Sequence, residues 1–160
     1  MGSFVGFMFA YCSFLIPIKK ISQNRFAVAM KHPVASYQDH VLIIPRKLAR
    51  NIFCLSANDF MAIIEMAEKI RQDDTRDFAL LINGGSRQDV MQAHFHLFTG
   101  NLAEEKGLNA GKASHSQDVY FGEQIASNLH ELLTEHEVTE ESFSMLIQFE
   151  HGTNPSVYFT

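Results

Sequence analysis

The sequence predicts an α+β fold: a mostly antiparallel sheet with one long helix packed on it and a C-terminal helix-strand extension. Three observations carry this. Short β-rich runs recur along the chain, and two of them, Arg25 to Met30 and His40 to Pro45, are separated by a loop containing Pro33 and read as an antiparallel pair. From Ser56 the pattern switches, because Phe60, Ile63, Ile64, Ala67 and Ile70 recur at helical spacing. Finally, 160 residues with 46% hydrophobic and 19% charged side chains suit a single domain with one sizeable core and exclude wholesale disorder.

The elements follow in order. Phe4 to Ile18 is a nearly uninterrupted apolar run, short for a membrane span and containing Pro17. Its positive charges, Lys19 and Lys20, follow it, where a signal peptide wants them before. The expectation is a buried or dimer-covered segment, with a weak membrane anchor as the alternative. Gly6 stands where a myristoylation signal wants Ser or Thr. The first helix starts at Ser56, which with Asp59 forms a capping-box pattern, and runs to about Arg71, ended by Asp73 and Asp74. Asp77 to Ile82 is the next strand, and Asn83, Gly84, Gly85 and Ser86 read as a turn where glycine lets the backbone approach a ligand. In the strand after it, Gln92, His94, His96 and Phe98 share one face and Ala93, Phe95 and Leu97 the other. Asn101 to Asp118 reads as a surface loop, Tyr120 to Glu137 as a second helix, and Ser144 to Phe149 and Ser156 to Phe159 as strands. No repeat or linker divides the chain. Residues 1–160 are one domain, its core at about 25–100 and its extension at 101–160.

A formal net charge of −5 disfavours binding to extended duplex nucleic acid, because a polyanion would need a local basic site. Cys12 and Cys54 cannot build a disulfide framework, stand in no CxxC pair, and read as packing residues suited to a reducing cytoplasm. His94 and His96, at i and i+2 on a strand, project to the same side within reach of one small ligand. His40 could complete a metal site with them, yet no carboxylate stands at a diagnostic spacing, so no metal or cofactor is expected. His115, His130, His136 and His151 read as exposed polar positions, and Arg46, Lys47 and Arg50 as a solvated face.

Three segments in order, Asp39 to Lys47, Leu81 to Ser86 and Gln88 to Phe98, resemble the histidine-triad (HIT) family of nucleotide hydrolases and transferases. The family motif is His-x-His-x-His followed by two apolar residues, preceded by a Gln four positions earlier and by an Asn that ends the previous strand. Gln88 and Asn83 stand at those places, His94 at the middle triad position, His96 at the last, and Gln92 at the first.

The resemblance implies that His94 attacks the α-phosphorus of a nucleotide ester, anhydride or phosphoramidate, forming a nucleotidyl-histidine that water then opens. His96 would stabilise phosphate charge and protonate the leaving group. The second ring nitrogen of His94 would be held by the backbone carbonyl of Gln92. Asn83, Gln88 and Gln92 are the implied substrate contacts, and His40 a strand-start histidine supporting the site from behind. The implied substrate is a purine mononucleotide derivative, and the implied assembly a cytoplasmic homodimer with no membrane partner. Two departures weigh on this: Gln92 cannot carry a proton, and His32 stands where many relatives have an acidic residue that grips ribose. Leu48 also replaces a histidine often found after the Pro-basic pair. The alternative is a HIT-fold module that binds a nucleotide or a protein with little or no catalysis.

Overall fold

The computed structural model describes residues 20–32, 40–106, 114–115, 139–153 and 155–159. Its strands are β1 (Lys20–Gln23), β2 (Ala27–Lys31), β3 (Val41–Pro45), β4 (Phe78–Gly85), β5 (Phe95–Thr99), β6 (Ser114–His115), β7 (Ser142–Phe149) and β8 (Ser156–Phe159). They form one sheet in the order β1-β2-β3-β5-β4-β7-β8-β6, with every neighbouring pair antiparallel. Two α-helices are described, α1 (Ala57–Arg71) and the single-turn α2 (Leu102–Glu105), with a 3-10 turn at Ile52–Cys54.

Helix α1 forms where its sequence signals place it. Ser56 caps it: the Asp59 amide donates to Ser56 Oγ at 3.4 Å, and Asp59 Oδ2 accepts from the Ser56 amide at 2.8 Å. Its buried stripe, with Phe60, Ile63, Ile64 and Ala67, packs on Ala27, Ala29, Val41, Ile43, Leu80, Ile82, Phe95 and Leu97. Because side chains alternate along each strand, that leaves the other face to Leu42, Leu81, His96 and Phe98. His96 lies opposite Leu42 of β3 on one side and Leu81 of β4 on the other, so the histidine stands mid-sheet on the face away from α1.

Several expectations are corrected. Strand β1 was not foreseen; its four residues KISQ are mostly exposed and give no apolar alternation. Asn83, Gly84 and Gly85 continue β4 and do not turn, since all three pair with β7. Glycine is needed at 84 for space, because a Cβ there would collide with the buried ring of Phe143, and at 85 for conformation, with φ +59°. The strand expected from Gln92 begins only at Phe95, so it carries His96, and His94 stands just ahead of it. Asn101 to Asp118 is not wholly a loop: α2 buries Leu102 and Ala103, and Gln148, fully buried, accepts from the Ala103 amide through Oε1. Cys54 is exposed and not packed. The apolar run Phe4 to Ile18, Cys12, His130, His136 and the expected helix Tyr120 to Glu137 lie outside the described residues. No helix among the described residues is long and apolar enough to cross a membrane.

Candidate active site

The site is built on the backbone ahead of β5. Three hydrogen bonds stitch residues 88–93 to residues 47–50: Gln88 Nε2 donates to Arg50 O at 2.7 Å, Gln92 Nε2 to Lys47 O at 3.1 Å, and Ala93 N to Ala49 O at 2.7 Å. A segment without ladder pairing is thereby held on the backbone that follows β3. Out of it comes His94, whose Nδ1 lies 2.8 Å from the Gln92 carbonyl oxygen. A carbonyl only accepts, so Nδ1 carries a hydrogen, and in the neutral ring Nε2 is the nitrogen with the lone pair.

His96 stands beside it, the two rings edge-on with centroids 4.9 Å apart. His96 Nδ1 is 2.9 Å from Nε2 of His40, which is 5% exposed. The other nitrogen of His40, Nδ1, is buried without a partner. A buried donor left unpaired is rarer than a spare lone pair, so His40 donates from Nε2 and His96 keeps its hydrogen on Nε2. Phe98 stacks against His40 with centroids 4.4 Å apart and backs the pair.

Burial lowers the pKa of His96 to about 3, with further lowering from His94, His40 and His32. His40 is lowered to about 4, again first by burial and then by His32. Both rings are neutral near pH 7. The sign follows: the unfolded chain binds these protons at pH values where the folded one does not, so stability is full above about pH 6.5 and falls as pH drops towards 4 and 3. The expected result is a thermal midpoint that declines on acidification below pH 6.5, and less steeply in His96→Gln. Equal slopes in the two proteins would show that His96 does not titrate this way.

The structure thus brings together His94, His96, His40 and the Gln92 carbonyl. Asn83 follows Leu81 on the same face of β4, and its Oδ1 accepts from Ser144 Oγ at 2.8 Å. The Gln88 amide is committed to the Arg50 and Val90 carbonyls. Gln92 is 2% exposed, its Nε2 on Lys47 O and its Oε1 buried without a partner. Two residues stand closer to the site than their sequence reading gives them. His32 stacks on His40 with centroids 4.2 Å apart, and Arg50, set aside as solvated, lines a cleft of about 330 Å³ with Asn51, Gly85, Gln88 and Met91. His151 is exposed, as expected.

The HIT domain family model matches residues 14–102. Among solved structures, the HIT family hydrolase from Clostridium thermocellum is 23% identical with a TM-score of 0.53, over 61% of this chain and 90% of that one. A hypothetical protein from Leishmania major is also 23% identical with a TM-score of 0.53, over 80% and 96%. The histidine triad nucleotide-binding protein from Candida albicans is 17% identical with a TM-score of 0.50, over 83% and 98%. Likeness at these identities is one of fold. No curated protein matches the chain.

Proposed function

The chain belongs to the HIT domain family, and from that premise we propose that it is a hydrolase or nucleotidyl transferase acting at the α-phosphorus of a nucleotide through His94. The observation that carries this reading is the hydrogen bond from His94 Nδ1 to the Gln92 carbonyl, which leaves Nε2 as a neutral nucleophile. Nε2 attacks phosphorus and the bond to the leaving group breaks; the bound phosphate's negative charge favours the imidazolium form of His96, and the leaving group takes its Nε2 proton, which returns His96 to the neutral ring. His96, now a base, takes a proton from water as the water oxygen displaces His94, and the nucleoside monophosphate departs. His40 supports this by engaging His96 Nδ1, which leaves Nε2 as the nitrogen that meets the leaving group. Asn83 and Gln88 serve as sugar-side and phosphate-side contacts, with Gln92 at the corner where the family has a third imidazole. A purine substrate, a homodimer and a cytoplasmic location belong to the same proposal.

A second reading, a module that binds a nucleotide or protein with little catalysis, has one observation in its favour. Gln92 is an amide held by Lys47 O, so no titrating group stands at the first triad position.

The experiment is a leaving-group series on adenylyl and guanylyl anhydrides and phosphoramidates, with product analysis. His96→Ala should lower kcat/KM by about 10²–10⁴ for leaving groups that need a proton and hardly at all for those that do not. Equal losses across the series would exclude His96 as the acid, and absence of turnover with every substrate would favour the binding module.

A further inference from the structure

We propose that His32, His40 and His96 form a binding site for a divalent transition-metal ion of the zinc type, held by three imidazoles on the face of the sheet away from α1. The three residues are the only group of this kind among the described residues: one ring nitrogen from each lies within 4.8 Å of the other two. Two nitrogens, His40 Nε2 and His96 Nδ1, already face each other at 2.9 Å. In a tetrahedral site with metal–nitrogen distances of about 2.0–2.1 Å, ligating nitrogens stand about 3.3–3.4 Å apart, so small ring movements convert this cluster into three vertices. The fourth vertex is left to water or substrate.

Two features favour a metal over a purely hydrogen-bonded cluster. The backbone fixes the rings: β2 and β3 pair in register from Ala27 against Pro45 to Lys31 against Val41, and the His32 amide donates to His40 O at 3.1 Å, so His32 and His40 are held side by side. The donor set is all imidazole, which suits zinc and its neighbours and not calcium or magnesium. His94 is outside the set, its Nδ1 on the Gln92 carbonyl.

An ion here takes His96 Nδ1 and displaces the hydrogen bond from His40, so metal binding and the support that His40 gives to the proposed acid exclude each other. That consequence rests on the catalytic reading; the site itself does not, and the test therefore reads binding. Co²⁺ is titrated into the full chain at neutral pH and followed by its d–d absorption, which distinguishes tetrahedral from octahedral coordination, with Zn²⁺ then added to compete. The expected result is one saturable tetrahedral site per chain, displaced by Zn²⁺. His32→Ala should weaken Co²⁺ binding at least about 100-fold, the upper end of what loss of a mere supporting partner does, and so should His96→Gln. His151→Ala should leave it unchanged. His32 is only partly buried and near the end of a strand, so its variant is expected to fold, with circular dichroism as the check. Octahedral or non-saturable absorption would overturn the proposal. So would tetrahedral binding that survives both His32→Ala and His96→Gln, which places the ion elsewhere.

Discussion

His94→Ala is expected to lower turnover of any nucleotide substrate by about 10⁴-fold or more, the scale on which loss of a covalent nucleophile acts. Among the described residues, no other side chain stands ready to replace it. His96 is the nearest imidazole, but its Nδ1 is engaged with His40 and it lies deeper in the sheet. The fold should survive, because His94 is only partly buried and its ring makes one hydrogen bond, to Gln92 O. The loss of stability should be about 1 kcal/mol, the usual net value of such a bond. The check is kcat/KM beside a denaturation curve: a large kinetic loss with a small shift in midpoint is the expected pair. Wild-type turnover in this variant would remove the covalent step.

Gly85→Ala is expected to be the most damaging small substitution for the fold, at about 3 kcal/mol or more, since it combines left-handed strain with overpacking. Gly85 has φ +59°, which an L side chain resists by about 1–2 kcal/mol. Its Cβ would also run into the carbonyl group of Glu141, and backbone cannot swing aside as a flexible side chain does. That carbonyl is pinned by the Ser86 amide, which donates to it at 2.7 Å, and Gly85 itself pairs with Ser142. Gly152→Ala is the control. It too has positive φ, +80°, but a Cβ there meets nothing within 4 Å, so only the conformational part, about 1–2 kcal/mol, should remain. Urea denaturation separates them: both midpoints fall, Gly85→Ala much further, with unchanged slopes. Equal shifts would mean that the backbone at Glu141 yields.

What was legible in the sequence was what local chemistry decides. The capping pair Ser56 and Asp59, followed by apolar residues at helical spacing, places α1 almost to the residue. Strands β3, β7 and β8 also follow their apolar runs. The errors arise where distant residues decide. Two consecutive glycines read as a turn, yet Gly84 is small because Phe143, nearly sixty residues on, occupies the space a Cβ would take. Alternation suggested a strand from Gln92, but the Ala93 amide goes to Ala49 O, and the ladder begins only at Phe95. In the site, the order of Asn83, Gln88, His94 and His96 was readable, and so was a supporting place for His40. The contact between His32 and His40 was not, because it depends on the register of β2 against β3, which no local pattern announces. The same holds for Arg50, whose place at the cleft follows from the bond between its carbonyl and Gln88.

The most direct test of the catalytic account is capture of the intermediate. The protein is mixed with an adenosine phosphoramidate, quenched within the first turnover under alkaline conditions that preserve the phosphorus–nitrogen bond, and analysed by intact mass and peptide mapping. The account predicts a single adenylyl group on His94, absent in His94→Ala and longer-lived in His96→Ala, where no base activates water. A chain that binds mononucleotide yet yields no adduct, or carries the adduct on another residue, contradicts it.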